Sequence, residues 1–299
     1  MDNRRILITG ATGFIGGNLA RALADRHFAV SAIIRPTSRA ERLQQDIGAA
    51  NCHVFEGETG QLVEILDRCR PDMVIHLASC FIAEHQSSQV EELIAANLLF
   101  PTQLLEAMAA NNITRLINTG SIWQYYDNRG YNPLNLYAAT KQAFIDLACY
   151  YQQARKLQTL TLVLTDTYGP GDRRPKLVNL LIDACRHERP LSMGSGRQLI
   201  DLVHITDVMA AYLTAVDRFD TLAGSSELYG IRSGTPLTVR QLVDTFQRVC
   251  SHTLQINWGA RADRTRELLQ PVDSIALLPD WHPRIALQDG LAQLLEAQG

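Results

Sequence analysis

Short runs of aliphatic and β-branched residues alternate with longer polar-apolar stretches of helical period along the first half of the chain. The strand-like runs are Arg5–Thr9, Ala29–Ile34, 53–55, 73–77, 115–119 and 159–164. Between them lie helical patterns over 14–26, 39–45, 60–68, 90–110 and 137–155. Period-two runs separated by helix-length segments predict βαβ units, hence a parallel sheet with helices on both faces. Six such strands, with the right-handed crossovers that βαβ units adopt, suffice for a doubly wound dinucleotide-binding fold.

After Tyr168 the rhythm breaks. Pro170, Gly171, Pro175, Pro190, Gly194 and Gly196 mark loops around one or two helices. The expected architecture is α/β: a doubly wound parallel sheet (Rossmann) with a smaller C-terminal α/β lobe for substrate. Residues 1–166 form the dinucleotide-binding domain, with 199–218 returning to it, and 167–198 with 219–299 form the lobe. There is no repeat or Ser/Gly linker, so the lobe is expected to be woven into the core.

Composition narrows the function class. The 299 residues are 46% hydrophobic and 20% charged with a net charge of -3, leaving no basic field for nucleic acid or an anionic membrane. Six scattered cysteines never form a CxxC pair, which argues against metal and redox sites and for buried free thiols in a reducing compartment. The start of the chain lacks a signal-peptide pattern, and no apolar run is read as reaching the ~18 residues that span a bilayer. The expectation is a soluble cytoplasmic enzyme with no membrane partner and no metal.

Candidate chemistry begins at the first strand-to-helix turn, Thr9-Gly10-Ala11-Thr12-Gly13-Phe14-Ile15-Gly16. Gly10 permits a tight turn, Gly13 lets backbone amides approach a pyrophosphate, and Gly16 allows close helix-sheet packing. The pyrophosphate would rest on the helix N-terminus, where unpaired amides and the dipole favour negative charge. Thr12, Phe14 and Ile15 complete the cradle. At the end of the second strand, where an NAD site places an acid, the chain has Arg35, followed by Ser38 and Arg39. That set suits a 2′-phosphate and indicates NADP(H), with NAD(H) as the alternative.

Tyr137 and Lys141 stand four apart in a helical stretch, so both side chains share one face. An ammonium beside a phenol would depress its pKa and let it exchange a proton with a carbonyl or carbinol. A hydroxyl at the end of the fifth strand should complete the group, and Thr119 and Ser121 are both available.

The turn TGATGFIG and the YxxxK element resemble the extended short-chain dehydrogenases, the NAD-dependent epimerase/dehydratase family. Further likeness runs through His76-Leu77-Ala78-Ser79, Ala96-Asn97-Leu98, Tyr168-Gly169-Pro170-Gly171-Asp172, the 194–208 block and the Leu278–Pro283 ending. The resemblance implies that Thr119 is the catalytic hydroxyl, with Ser121 facing substrate. It implies that Leu77, Ala78, Ser79, Asn97 and Glu58 lie along the cofactor, the last in place of the usual adenine-contacting Asp. Trp123, Asp166 and Lys176 would meet the substrate. It also implies a nucleotide-diphosphate sugar as substrate and a homodimer formed through helices 90–110 and 137–155.

Departures from the family pattern discriminate among its reactions. Gly120-Ser121 replaces the Asp-Glu pair of the 4,6-dehydratases, which argues against water elimination. Arg35 argues for an exchangeable NADPH, hence net reduction. Ile200 replaces an arginine expected to meet the diphosphate, so Arg197 or Arg261 would have to supply that charge. The group most resembled is the nucleotide-sugar 4-ketoreductases of the CDP-abequose synthase kind. This implies NADPH-dependent reduction of the C4 ketone of a nucleotide-linked 4-keto-6-deoxyhexose. The alternatives are a 4-epimerase with tightly held NAD and, remotely, a non-catalytic NAD(P)-binding sensor.

Overall fold

A computed structural model describes residues 4–222 and 226–296. Its centre is a seven-stranded sheet, every neighbouring pair parallel. The strands are β1 (Arg5–Thr9), β2 (Ala29–Ile34), β3 (Cys52–Val54), β4 (Met73–His76), β5 (Arg115–Ser121), β6 (Gln158–Leu164) and a seventh, Ser226–Ile231. Their order is β3-β2-β1-β4-β5-β6-seventh, the doubly wound arrangement. The seventh strand lies in a stretch read from the sequence as part of the lobe. It docks in register on β6, from Ser226 against Thr159 to Ile231 against Leu164.

Alternation within single strands builds both faces of the core. In β1, Ile6 and Ile8 enter one hydrophobic cluster and Leu7 the opposite one. Helices Phe14–Asp25 and Ile205–Asp217 cover the first face, and helices Thr59–Cys69, Phe100–Ala110 and Leu136–Arg155 the second. A third cluster, around Tyr168, Leu181, Leu242, Phe246 and Leu291, forms the core of the lobe. After Tyr168 the described residues contain five α-helices where the proline and glycine punctuation suggested one or two. The punctuation marks the loops but not how many amphipathic segments lie between them.

Two other expectations are corrected. Ser87–Ala110 forms one continuous helical stretch whose length and mean hydropathy of 1.4 would allow it to cross a membrane. Here its Leu104, Leu105, Ala107 and Met108 are buried against the sheet. A π-turn, Ala95–Leu99, widens it just before Pro101, which has no N–H for the carbonyl one turn back. The six cysteines are free, but none is fully buried and Cys149 is exposed.

Candidate active site

The site lies at the C-terminal ends of the strands, where β1 has β2 on one side and β4 on the other and the winding reverses direction. A cleft of about 250 Å³ runs there from Gly10, Gly13, Phe14, Ile15 and Gly16, past Leu77 and Ser79, to Thr119, Ser121, Trp123, Tyr137, Lys141, Asp166 and Lys176. The fold thus gathers, in one cleft, residues spread over more than half of the chain.

Gly10 turns the chain out of β1 at φ 74°, and a Cβ there would stand 2.6 Å from the Ala78 nitrogen. At Gly16 a Cβ would fall 2.2 Å from the Gly10 carbonyl oxygen. Both positions exclude side chains for reasons internal to the protein. Gly13 differs: a Cβ would meet only the Gly10 oxygen, at 3.2 Å, and its outer side is open. It is the N-cap of helix Phe14–Asp25 and no side chain caps that end. A helix N-terminus without a side-chain cap beside such a glycine could hold the pyrophosphate of a nicotinamide dinucleotide.

The remaining cofactor candidates lie at graded distances from this cradle. Thr12 is exposed beside it. Ala78 packs its backbone against Gly10, and its N–H bonds Thr9 Oγ1 at 3.2 Å. Arg35 and Arg39 are exposed past the end of β2, and Ser38 Oγ accepts from the Arg35 N–H at 3.0 Å. Glu58 is exposed at the N-cap of helix Thr59–Cys69. Asn97 is buried and points elsewhere. Its Oδ1 accepts from the Cys80 N–H at 2.8 Å and its Nδ2 donates to Thr140 Oγ1 at 3.0 Å, tying the loop after β4 to helix Leu136–Arg155.

At the other end of the cleft, Asn135 caps helix Leu136–Arg155 by accepting from the Ala138 N–H at 2.9 Å. That cap starts the helix so that Tyr137 falls in its first turn and Lys141 one turn on. Burial pushes the Tyr137 phenol up to about 12, opposed by hydrogen bonds with Ser121 and Ser79 and by the Arg174 charge. The lysine does not depress it in this geometry. Burial instead pushes the Lys141 ammonium down to about 8. A phenol that keeps its proton is suited to giving it to a carbonyl oxygen. Thr119, two residues before Ser121, is 8% exposed and its Oγ1 lies 2.6 Å from the hydroxyl of Tyr212.

On the outer side Phe81, Trp123 and Tyr137 form an aromatic cluster with centroids 5.0 to 6.5 Å apart. Lys176 Nζ stands 4.2 Å from the Phe81 ring centre and pairs with Asp166 at 3.3 Å. Arg197 and Arg261 stay outside the cleft: both are exposed, and Arg197 pairs with Asp263 at 3.7 Å. The guanidinium that does line the cleft, beside the ammonium groups of Lys141 and Lys176, is that of Arg174, which stacks over Phe14 at 4.7 Å and bonds Asp172 and Thr167. Sequence reading passed over Arg174, Phe81 and Tyr212. Arg174 stood two residues beyond the recognised Tyr168–Asp172 turn, whereas Tyr212 has the spacing of any core position on its helix.

A glycine turn, a half-buried tyrosine one turn from a buried lysine and a strand-end hydroxyl at the reversal of a doubly wound sheet define a dinucleotide-dependent oxidoreductase. Residues 6–231 match the NAD dependent epimerase/dehydratase family, and the chain belongs to it. It is 30% identical over 268 residues to a CDP-abequose synthase of Yersinia pseudotuberculosis, covering 89% of this chain and 91% of that one. It is 24% identical to a probable UDP-glucuronate 4-epimerase of Rhizobium meliloti, over 98% and 96% of the two chains. In three dimensions it is similar to a UDP-glucuronic acid 4-epimerase from Bacillus cereus solved with UDP-glucuronic acid and NAD. That match has a TM-score of 0.83 at 22% identity and covers 98% of each chain.

Proposed function

We propose that this enzyme uses NADPH to reduce the C4 ketone of a nucleotide-linked 4-keto-6-deoxyhexose, a step of deoxysugar synthesis for O-antigen or a related glycan. The observation that carries the reading is the half-buried, proton-holding Tyr137 beside a strand end that offers hydroxyls, Thr119 and Ser121, and no carboxylate. The cofactor supplies a hydride when bound. Tyr137 gives its proton to the ketone oxygen, Lys141 binds the nicotinamide ribose, and Thr119 holds the oxygen in place. Arg35, with Ser38 and Arg39, takes the 2′-phosphate. Lys176 and Arg174 supply the positive charge in the cleft that Arg197 and Arg261 do not. The likeness to a CDP-abequose synthase along nine-tenths of the chain supports the same reaction type.

A second reading, a nucleotide-sugar 4-epimerase with tightly held NAD, draws on the full-length likeness to 4-epimerases. The deciding experiment follows NADPH oxidation by purified protein with CDP-, dTDP-, GDP- and UDP-linked 4-keto-6-deoxy sugars. Stoichiometric NADPH consumption with one of them is expected. Turnover without added cofactor, by protein that already carries NAD, would replace the reductase by the epimerase. Arg35→Asp should reverse a preference for NADPH over NADH; equal use of both by the wild type would remove Arg35 from the site. The protein is further proposed to be a cytoplasmic homodimer, its helix faces carrying the exposed Leu99 and Tyr150 being the contact.

A further inference from the structure

Tyr212 is the largest fully buried side chain of the core and no step proposed above uses it. It sits on helix Ile205–Asp217, among Ile117, Leu162 and Val208, and its hydroxyl lies 2.6 Å from Thr119 Oγ1. Thr119 itself lines the cleft. The contact therefore joins the interior of the sheet to the reacting end of the site.

The direction of this hydrogen bond follows from which proton has somewhere else to go. Were Thr119 to donate, the fully buried Tyr212 proton would be left without another hydrogen-bond partner among the described residues, at the desolvation cost of an unmade hydrogen bond. Were Tyr212 to donate, both groups are satisfied, because the Thr119 hydroxyl can turn its own proton into the cleft. Burial also pushes the Tyr212 phenol far up, so it keeps that proton through any pH at which the enzyme would work.

We propose that Tyr212 is a positioning residue: its phenol donates to Thr119 Oγ1, so the threonine presents its own proton to the cleft as a second donor beside Tyr137. Two donors lining one cleft suit an oxygen that can only accept, as a ketone oxygen does, better than a carbinol, which has a proton of its own to place. The hydrogen bond that Thr119 accepts also polarises the one it gives. The inference rests on the reductase reading and deepens it, since it gives the site a bias toward the ketone.

Neutron diffraction from perdeuterated protein reads the proton position without any substrate. The expected map has the shared deuteron on Tyr212 Oη and the Thr119 deuteron pointing into the cleft; a shared deuteron on Thr119 overturns the proposal. In kinetics with a nucleotide-linked 4-keto sugar that the wild type reduces, Tyr212→Phe keeps the ring in the core and should lower kcat about ten-fold, one hydrogen bond's worth, with KM nearly unchanged. In a Thr119→Val background the same change should do nothing more, and in a Thr119→Ser background its effect should return. Losses that multiply independently of Thr119 would make Tyr212 merely structural and overturn the proposal. If the wild type reduces no nucleotide-linked ketose, the substrate reading falls, while a deuteron on Tyr212 still supports the relay.

Discussion

The two ends of the cleft are built on opposite principles. At the glycine turn the protein works by leaving atoms out: Gly10 and Gly16 have no room for a Cβ, and at Gly13 a Cβ would meet only the Gly10 oxygen, at 3.2 Å. At the far end it works by placing atoms: the Lys141 ammonium and the Thr119 hydroxyl are buried, and the half-buried Tyr137 phenol lines the cleft beside them. The first end is damaged by adding a methyl group, the second by removing an oxygen. Binding a pyrophosphate needs many similar backbone amides, whereas moving one proton needs one group with the right proton affinity.

Removing one oxygen from the second end should have the largest effect. Tyr137→Phe is expected to lower kcat by on the order of 10²–10⁴-fold while cofactor affinity, read by fluorescence titration, stays near the wild type. Near-normal turnover would move the proton donor elsewhere. Adding one carbon to the first end should act on folding and cofactor binding together. Gly16→Ala, with its Cβ 2.2 Å from the Gly10 oxygen, is expected to cost about 1–3 kcal/mol in urea unfolding. Gly60→Ala, where a Cβ meets nothing within 4 Å, serves as its control and should not destabilise. Equal behaviour of the two would erase the distinction between the ends.

The buried lysine gives a smaller effect with a definite sign. Its ammonium falls from 10.5 to about 8 in the folded protein, so between those values the unfolded chain binds more protons than the folded one. Stability contributed by this group is therefore lowest below pH 8 and rises as pH climbs through that window. Above about pH 10 the raised phenol of Tyr137 works the other way, so the gain is read between pH 8 and 10. Urea midpoints over that range should climb less in Lys141→Met than in the wild type; identical slopes would mean that the ammonium is not desolvated. The smallest effect is expected outside both ends. Arg197→Ala should leave kcat/KM within about two-fold, because an exposed pair such as Arg197 with Asp263 contributes little. A larger loss would bring Arg197 back toward the diphosphate.

How legible these features were depended on the range of the physics behind them. The six strands from Arg5–Thr9 to Gln158–Leu164 could be read because alternation and helical period are local. The seventh, Ser226–Ile231, was missed because its place beside β6 is a long-range pairing that no nearby pattern announces. The glycine turn and the Tyr137/Lys141 spacing were legible for the same local reason. The arginine of the cleft was not: Arg174 and Arg197 look alike in sequence, and only the packing of the loop after Tyr168 turns one onto Phe14 while leaving the other in solvent.

By itself the sequence determined the doubly wound core, the tight glycine turn after its first strand and the one-turn spacing of Tyr137 and Lys141, because each follows from backbone sterics or from a spacing within one element. The tertiary structure decided the rest. It raised the Tyr137 phenol where the four-residue spacing suggested lowering, since burial depends on what covers a group and not on what precedes it in the chain. It also brought Tyr212 of a distant helix onto Thr119, giving a hydroxyl at a strand end a partner that no local rule contains.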